Sequence, residues 1–401
     1  MKLIGGNPLW HNINAIKQKY NPLKDNTSCD ILIIGGGITG AICAYFLSQL
    51  GIKCILLEEN TVGMSSTSIC TSILQYEIDL DIIDLSKKIG ENNARRAFVL
   101  CKEALYTIAE IIKIHNIDCS YLEVPSLYYS HNDKDYMSMK REFNLRSDCR
   151  FNVDFLDKDA CDNYCPFPIS SGILSHSGSA VLDPYLFTVN LLKLCHTKGV
   201  KIFEKTKVKY TINLDNGIVC TTTNDLNITC KKLLICTGYN AASLFKEHLA
   251  NFTRTFNIVT SPIDSGTELW YKNMIMKDNT DYHTYIRTTD DSRIIIGGED
   301  ISDLGYDEHK NKNAYNKLES KLKKLLPSLG EYTIDYKFNG IFADTSDSLP
   351  YVGEHPDFKD HYFCLSYGSN GILYSVLGAQ IIGKLYNGDE IPDLDLFKFR
   401  R

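Results

Sequence analysis

From Cys29 to Asn60 the chain reads CDILIIGGGITGAICAYFLSQLGIKCILLEEN, an order that few folds accommodate. Asp30 to Ile34 is a short apolar run of the kind found in buried parallel strands, and it stops at Gly35, Gly36 and Gly37. Apolar residues then recur at helical spacing (Ile38, Ala41, Ile42, Tyr45, Phe46) until Gly51 ends the helix. Lys53 to Leu57 follows as a second strand. The unit is strand, helix, strand.

Gly35, Gly37 and Gly40 supply G-x-G-x-x-G within it. The first glycine permits the tight turn, the second lets the backbone approach a pyrophosphate, and the third lets helix and strand pack closely. The amides of Ile38 and Thr39 open the helix, whose dipole favours a dianion there. Glu58 ends the second strand 23 residues after Gly35, beside Glu59, where a carboxylate accepts hydrogen bonds from a ribose diol. The spacing predicts a bound adenine dinucleotide with an unphosphorylated ribose. Next, Gly63 with Ser65, Ser66, Thr67 and Ser68 forms a hydroxyl-rich turn suited to phosphate oxygens and to close passage of a flat ring.

At 401 residues the chain exceeds the size of a single core, so two lobes are expected. A net charge of −6 argues against a general nucleic-acid binder. The fourteen cysteines are scattered, several of them in apolar elements (Cys43, Cys54, Cys236), which suits reduced thiols better than a disulfide framework. Cys161 and Cys165 lack a second pair, so no metal site is expected. The opening MKLIGGNPLWHN has no apolar signal core and no stretch is long enough to span a membrane, so the expected location is the cytoplasm.

Residues 1–28 lack a sustained period and are expected to wrap the surface. Asp84 to His115 carries a helical stripe (Ala94, Ala97, Phe98, Cys101, Leu105, Ile108, Ile112) interrupted near Gly90. A polar, strand-poor region to Asp162 is expected next, then a return to α/β character from Gly172, with a helix from Pro184 to His196. Lys231 to Gly238 (KKLLICTG) reads as a buried strand and tight turn, and Tyr285 to Gly298 as two strands joined at Asp290, Asp291 and Ser292. Asn313 to Leu326 is an amphipathic helix, and YFCLSYGSNGILYSVLGAQIIGKLYNG reads as strand, glycine-rich turn and helix.

These separated motifs together resemble the D-amino-acid oxidase and glycine oxidase superfamily of FAD-dependent oxidoreductases. The resemblance rests on the first nucleotide motif with Glu58, on Val208 within EKTKV, on CTGY at Cys236 to Tyr239, on DSLPYVG at Asp347 to Gly353 and on YGSNGI at Tyr367 to Ile372. NPLW and LQYEID look closest to a subgroup near the γ-glutamylputrescine oxidases. The likeness implies an α/β fold: a Rossmann-like, glutathione-reductase-like FAD domain from residues 1–84, 165–240 and 335–401, and a sheet-based α+β substrate domain from 85–164 and 241–334. It implies that Val208 meets the adenine, that Thr237 and Gly238 lie near the pyrophosphate, and that Gly340, Asn370, Gly371, Ile372 and Leu373 approach the flavin. A helix beginning near Gly371 would aim its positive end at the flavin N1 and C2 oxygen.

The chemistry implied is hydride transfer from an amine-bearing carbon to flavin N5, leaving an imine, on a small amine or amino acid. FAD-dependent oxidation of a hydroxy compound such as glycerol 3-phosphate and a flavin-binding partner without turnover are the alternatives. No general base is nominated, and His176 and His283 are read as structural. Monomeric sarcosine oxidases attach flavin through a cysteine at the position of Gly340, so the FAD here is expected to be noncovalent. They also carry a lysine over the flavin on the strand aligned with RIIIGG. Its replacement by Ile294, Ile295 and Ile296 implies poor reactivity with oxygen and leaves the electron acceptor unidentified. In D-amino-acid oxidases an arginine clamps the substrate carboxylate at the position of Phe342. Gln75, Tyr76 and Arg287 are the expected substrate-facing residues, with Arg287 the substitute clamp.

Overall fold

The computed structural model describes residues 3–14, 19–263, 268–302, 304–305 and 307–401. Its first sheet grows from the strand, helix, strand unit. Thr27–Ile34 lies parallel between Cys54–Leu57 and Asn227–Ile235, with Lys201–Phe203 outside Cys54–Leu57 and Phe358–Leu365 parallel to the far half of Asn227–Ile235. Gly217–Thr222 and Val208–Leu214 extend it antiparallel, and Tyr351–His355 pairs with Phe358–Leu365. Parallel strands need cover, and the helices Ile38–Gln49, Pro184–Thr197 and Gly371–Asn387 provide it by packing on one another beside the sheet. Asp183 starts the second of these, its side chain accepting from the amides of Tyr185 and Leu186.

The second sheet has nine strands in the order Ile4–Gly6, Ile334–Asp344, Asn251–Thr260, Ile294–Ile301, Tyr285–Thr288, Ile275–Asp278, Ser126–Ser130, Ser171–Ser175 and Val153–Leu156. Every pairing is antiparallel except Ile275–Asp278 with Ser126–Ser130. The amphipathic helix Glu308–Leu325 lays Ala314, Leu318 and Leu322 against one face. Sheet membership cuts across the expected segment boundaries, since Ile4–Gly6, Ser171–Ser175 and Ile334–Asp344 all join this second sheet. The long helical stripe divides as expected at Gly90 into Ile82–Ile89 and Glu91–His115. Among the described residues no helix is long and apolar enough to cross a membrane.

Two expectations are corrected. The opening segment does not merely wrap the surface: Leu9 and Trp10 are buried, the indole Nε1 donates to the Cys70 carbonyl at 2.7 Å, and Ile4–Gly6 forms a sheet edge. The region before Asp162 is not strand-poor, because Ser126–Ser130 sits inside the second sheet and Val153–Leu156 closes its edge. SLYYS reads as polar, yet its terminal hydroxyls are satisfied by Glu77 (2.9 Å) and Asp135 (2.7 Å), which removes the penalty for burying them.

The tightest constraint lies at Gly40. A Cβ there would stand 1.9 Å from the Gly35 carbonyl oxygen, a backbone atom that cannot move without breaking the turn. Gly40→Ala is therefore expected to destabilise the protein by about 3 kcal/mol, the upper end for overpacking. Gly330→Ala, whose methyl would meet open space, is the control and should leave the urea midpoint unchanged. Equal midpoints for the two variants would refute the close-packing account.

Candidate active-site cavity

The strands of the first sheet end at a cavity of about 1630 Å³ that runs on beneath the second sheet. Pockets for single small ligands span roughly 300–1,000 Å³, so this one has room for a dinucleotide and a further small molecule. Gly35, Gly37, Ile38, Thr39, Glu58, Glu59, Ser65, Ser66, Thr67, Val208, Thr237 and Gly238 line its outer half. Gln75, Gly340, Asn370, Gly371 and Ile372 line it further in. Gly40 lies under the helix instead, and Leu373 belongs to the core, where it is 1 % exposed.

Local geometry fits this wall to an anionic, extended ligand. Gly35 has φ +114°, and a side chain there would drive into the Cys236 carbonyl at 2.3 Å. Thr67 Oγ1 accepts from the Ile38 amide at 3.0 Å, which fixes the hydroxyl-rich turn against the helix start. Glu58 accepts from the amides of Gly36 and Asn60, each at 2.8 Å; burial raises its pKa, and those two donors oppose the rise. The helices Ile38–Gln49 and Gly371–Asn387 both begin at the cavity with no bond from their own N-cap residue, although Thr67 takes the Ile38 amide of the first. Their first amides carry the partial positive charge of the helix ends. Asn370 is otherwise engaged, donating to the carbonyls of Gln75 (3.1 Å) and Glu77 (3.0 Å).

The inner half holds groups that sequence reading missed. Lys277, on Ile275–Asp278, lines the cavity and pairs with Asp79 at 2.9 Å. Burial would push the Asp79 carboxyl up, but Lys277 and the nearby His283 outweigh it and leave the pKa below the ordinary value. His283 also lines the wall rather than serving only the scaffold. Its Nδ1 lies 2.7 Å from the Asp278 carbonyl, so that nitrogen carries the proton and Nε2 keeps its lone pair. Tyr285 donates to Asn257 at 3.0 Å and lies 3.4 Å from the Thr255 hydroxyl, and Asp300 lines the cavity with them. The available signals were Asp79, at the end of the LQYEID run, and MKDNTDYH, which sets Lys277 and His283 six residues apart.

Two expected substrate-facing residues are corrected. Tyr76 is fully buried, stacked on Phe151 at 4.0 Å and bonded to Ser175 at 2.8 Å. Arg287 is 2 % exposed and does not line the cavity; its Nη1 donates to the carbonyls of Thr71, Ser72 and Leu182 and its Nε to that of Thr288. Its Nε and Nη1 are committed to backbone carbonyls and it lies outside the cavity lining, so it acts as a scaffold tie and not as the substrate clamp. The lysine argument is corrected too. The isoleucine run stands on Ile294–Ile301 as read, but Lys277 brings a cation from another strand, which removes the stated ground for poor reactivity with oxygen. His176 pairs with Asp154 at 2.7 Å, away from the cavity.

A family model described as "DAO: FAD dependent oxidoreductase" matches residues 30–385. The chain is 25 % identical over 387 residues to the gamma-glutamylputrescine oxidoreductase of Escherichia coli (strain K12), covering 94 % of this chain and 88 % of that protein. It is 22 % identical over 379 residues to the glycine oxidase of Bacillus subtilis (strain 168), covering 92 % and 96 %. Among solved structures, glycine oxidase from Geobacillus kaustophilus superposes with a TM-score of 0.77 at 18 % identity, over 93 % of this chain and 99 % of that one, which shows the same fold.

Burial, then the Lys277 charge, push the His283 pKa from 6.5 down to about 4. The unfolded chain therefore binds a proton that the folded one does not, so the stability His283 contributes above its unfolded pKa of 6.5 is lost as the pH falls through about 4. At 1.36 kcal/mol per pKa unit this amounts to roughly 3 kcal/mol. The unfolding free energy of the wild type minus that of His283→Gln should fall by that order over this window. A difference that does not change with pH would refute the assignment.

Proposed function

The chain belongs to the DAO family of FAD-dependent oxidoreductases, and from that premise we propose that the cavity holds FAD noncovalently and oxidises the C–N bond of a small amine. The outer wall suits the dinucleotide in three ways. Its glycine turn has no room for side chains, two helix starts meet it, and the Glu58 carboxylate offers charged acceptors to the ribose. Val208, Thr237 and Gly238 continue that wall, and the start of Gly371–Asn387 would favour negative charge on the flavin ring. In the same reading the first sheet with its helices forms the nucleotide unit and the second sheet roofs the substrate.

The thiols at hand support noncovalent binding. Cys70, Cys236 and Cys364 line the cavity, but burial raises the pKa of Cys70 and Cys236, and the Cys43 thiol together with burial raises that of Cys364. All three stay protonated and poorly nucleophilic. Gly340 offers no attachment point, and Ile69 fills the space its side chain would need. Acid precipitation should therefore release the yellow chromophore into the supernatant. Colour retained in the pellet would overturn the noncovalent reading.

One observation favours an amine over a carboxylate or phosphate substrate: among the described residues no arginine lines the cavity. Phe342 stands in the wall, Arg287 is withdrawn, and Lys277 is already paired with Asp79. A carboxylate brought here would lose its hydration without gaining a bidentate partner. Bound FAD would supply the hydride acceptor for the amine-bearing carbon, and the imine left on the substrate would be open to hydrolysis by water. The protein's own part is to hold the amine beside Tyr285, Asn257 and the unprotonated Nε2 of His283, sheltered by the second sheet. Anaerobic addition of n-butylamine, sarcosine, D-alanine and glycerol 3-phosphate tests this, with loss of flavin absorbance as the readout. The amine should bleach the flavin; bleaching by D-alanine or glycerol 3-phosphate alone would overturn the reading.

A further inference from the structure

The inner half of the cavity is strongly anionic. Asp79, Asp81, Asp84, Asp281, Asp300 and Asp344 line it, against one lysine and a histidine held neutral. Lys277 compensates Asp79 and Lys87 compensates Asp84. The remaining four carboxylates form no ion pair among the described residues. Asp300 is the least satisfied, since its Oδ1 is buried with no hydrogen-bond partner. Burial, reinforced by Asp79 and Glu299, lifts its pKa to about 6, and burial with the Glu142 charge does the same to Asp81. Asp84, Asp281 and Asp344 are exposed, so among the four unpaired carboxylates only Asp81 and Asp300 are half-buried.

An uncompensated, half-buried carboxylate repels anions and favours a cation that reaches it. A metal ion does not fit, because among the described residues no three acidic, histidine or cysteine side chains converge closely enough to hold one. The charge is spread along the wall, as an extended organic cation requires. Resting on the amine-oxidation reading above, we propose that the substrate carries a second, protonated amine that Asp300 engages, so that the enzyme selects a diamine or longer polyamine over a monoamine or an amino acid. The reacting nitrogen then loses its proton near His283 and Tyr285, while the distal ammonium sets register and selectivity.

The FAD-loaded enzyme provides the test, with three probes of matched length: terminal diaminobutane, n-butylamine and γ-aminobutyrate. Shifts in the flavin spectrum report binding, and anaerobic bleaching reports oxidation. The diamine should bind about tenfold or more tightly than the monoamine, the range expected for one hydrogen bond to a charged group, and γ-aminobutyrate should bind weakest. Asp300→Asn should bring diamine and monoamine to similar Kd. Should that variant fail to fold, Asp81→Asn keeps the cap of Ile82–Ile89 while removing charge, and it should narrow the same gap. Equal Kd for diamine and monoamine in the wild type overturns the proposal even if both bleach the flavin, and a preference that survives Asp300→Asn overturns the role of Asp300. A diamine that binds selectively without bleaching would uphold the cation preference and sink the oxidation reading instead.

Discussion

Everything in this fold depends on how closely one helix is allowed to approach one strand. The helix Ile38–Gln49 sits so near the end of Thr27–Ile34 that a single methyl at Gly40 would collide with the Gly35 carbonyl. That approach brings the first amides of the helix to the strand ends, where Thr67 takes the Ile38 amide and Glu58 completes the wall. A looser contact would leave the turn free to take side chains, and the helix end would then point at solvent instead of at a ligand. The second helix start, at Gly371, reaches the same cavity because Gly371–Asn387 packs directly on Ile38–Gln49. One steric condition thus sets two anion-favouring helix ends on one cavity.

What could be read from residues alone divides along physical lines. The strand, helix, strand unit, the break at Gly90 and the hairpin joined through Asp290, Asp291 and Ser292 were legible because local pattern decides them. Ser126–Ser130 was not, since its burial depends on Glu77 and Asp135 satisfying the hydroxyls, and Glu77 lies 49 residues away in the chain. Arg287 was misplaced for a similar reason. An arginine on a hairpin has no sequence signature that separates a substrate clamp from a scaffold tie, and here the carbonyls of Thr71, Ser72 and Leu182 decide it. Lys277 escaped notice because it reaches the cavity from Ile275–Asp278, which pairs in parallel with Ser126–Ser130, a strand the sequence does not announce.

Arg146, Arg287 and Arg293, buried or half-buried near the second sheet, are spent on structure. Arg146 bonds Glu142 at 2.8 Å and Glu77 at 3.4 Å, Arg287 holds the segment at Thr71 and Ser72, and Arg293 ties Asp291 to Asp335, both at 2.7 Å. Burying a guanidinium is costly unless most of its donors are used, and each of these three is held by partners within the scaffold. Ser72 shows the consequence locally: it is held at φ +54° with its carbonyl on Arg287, which fixes the floor of the cavity at that point.

The cavity's charge follows from this allocation. The whole chain is only modestly acidic, at −6, yet its cations near the inner wall are committed elsewhere while the carboxylates there remain. Overall charge therefore says little about the field a bound molecule meets. Asp81 and Asp300 are half-buried, so their charge is screened less than that of the exposed lysines. An active site of this kind selects its ligand by what the scaffold has already used up: with the guanidinium groups spent on carbonyls and glutamates, the charge left to complement the inner cavity is positive.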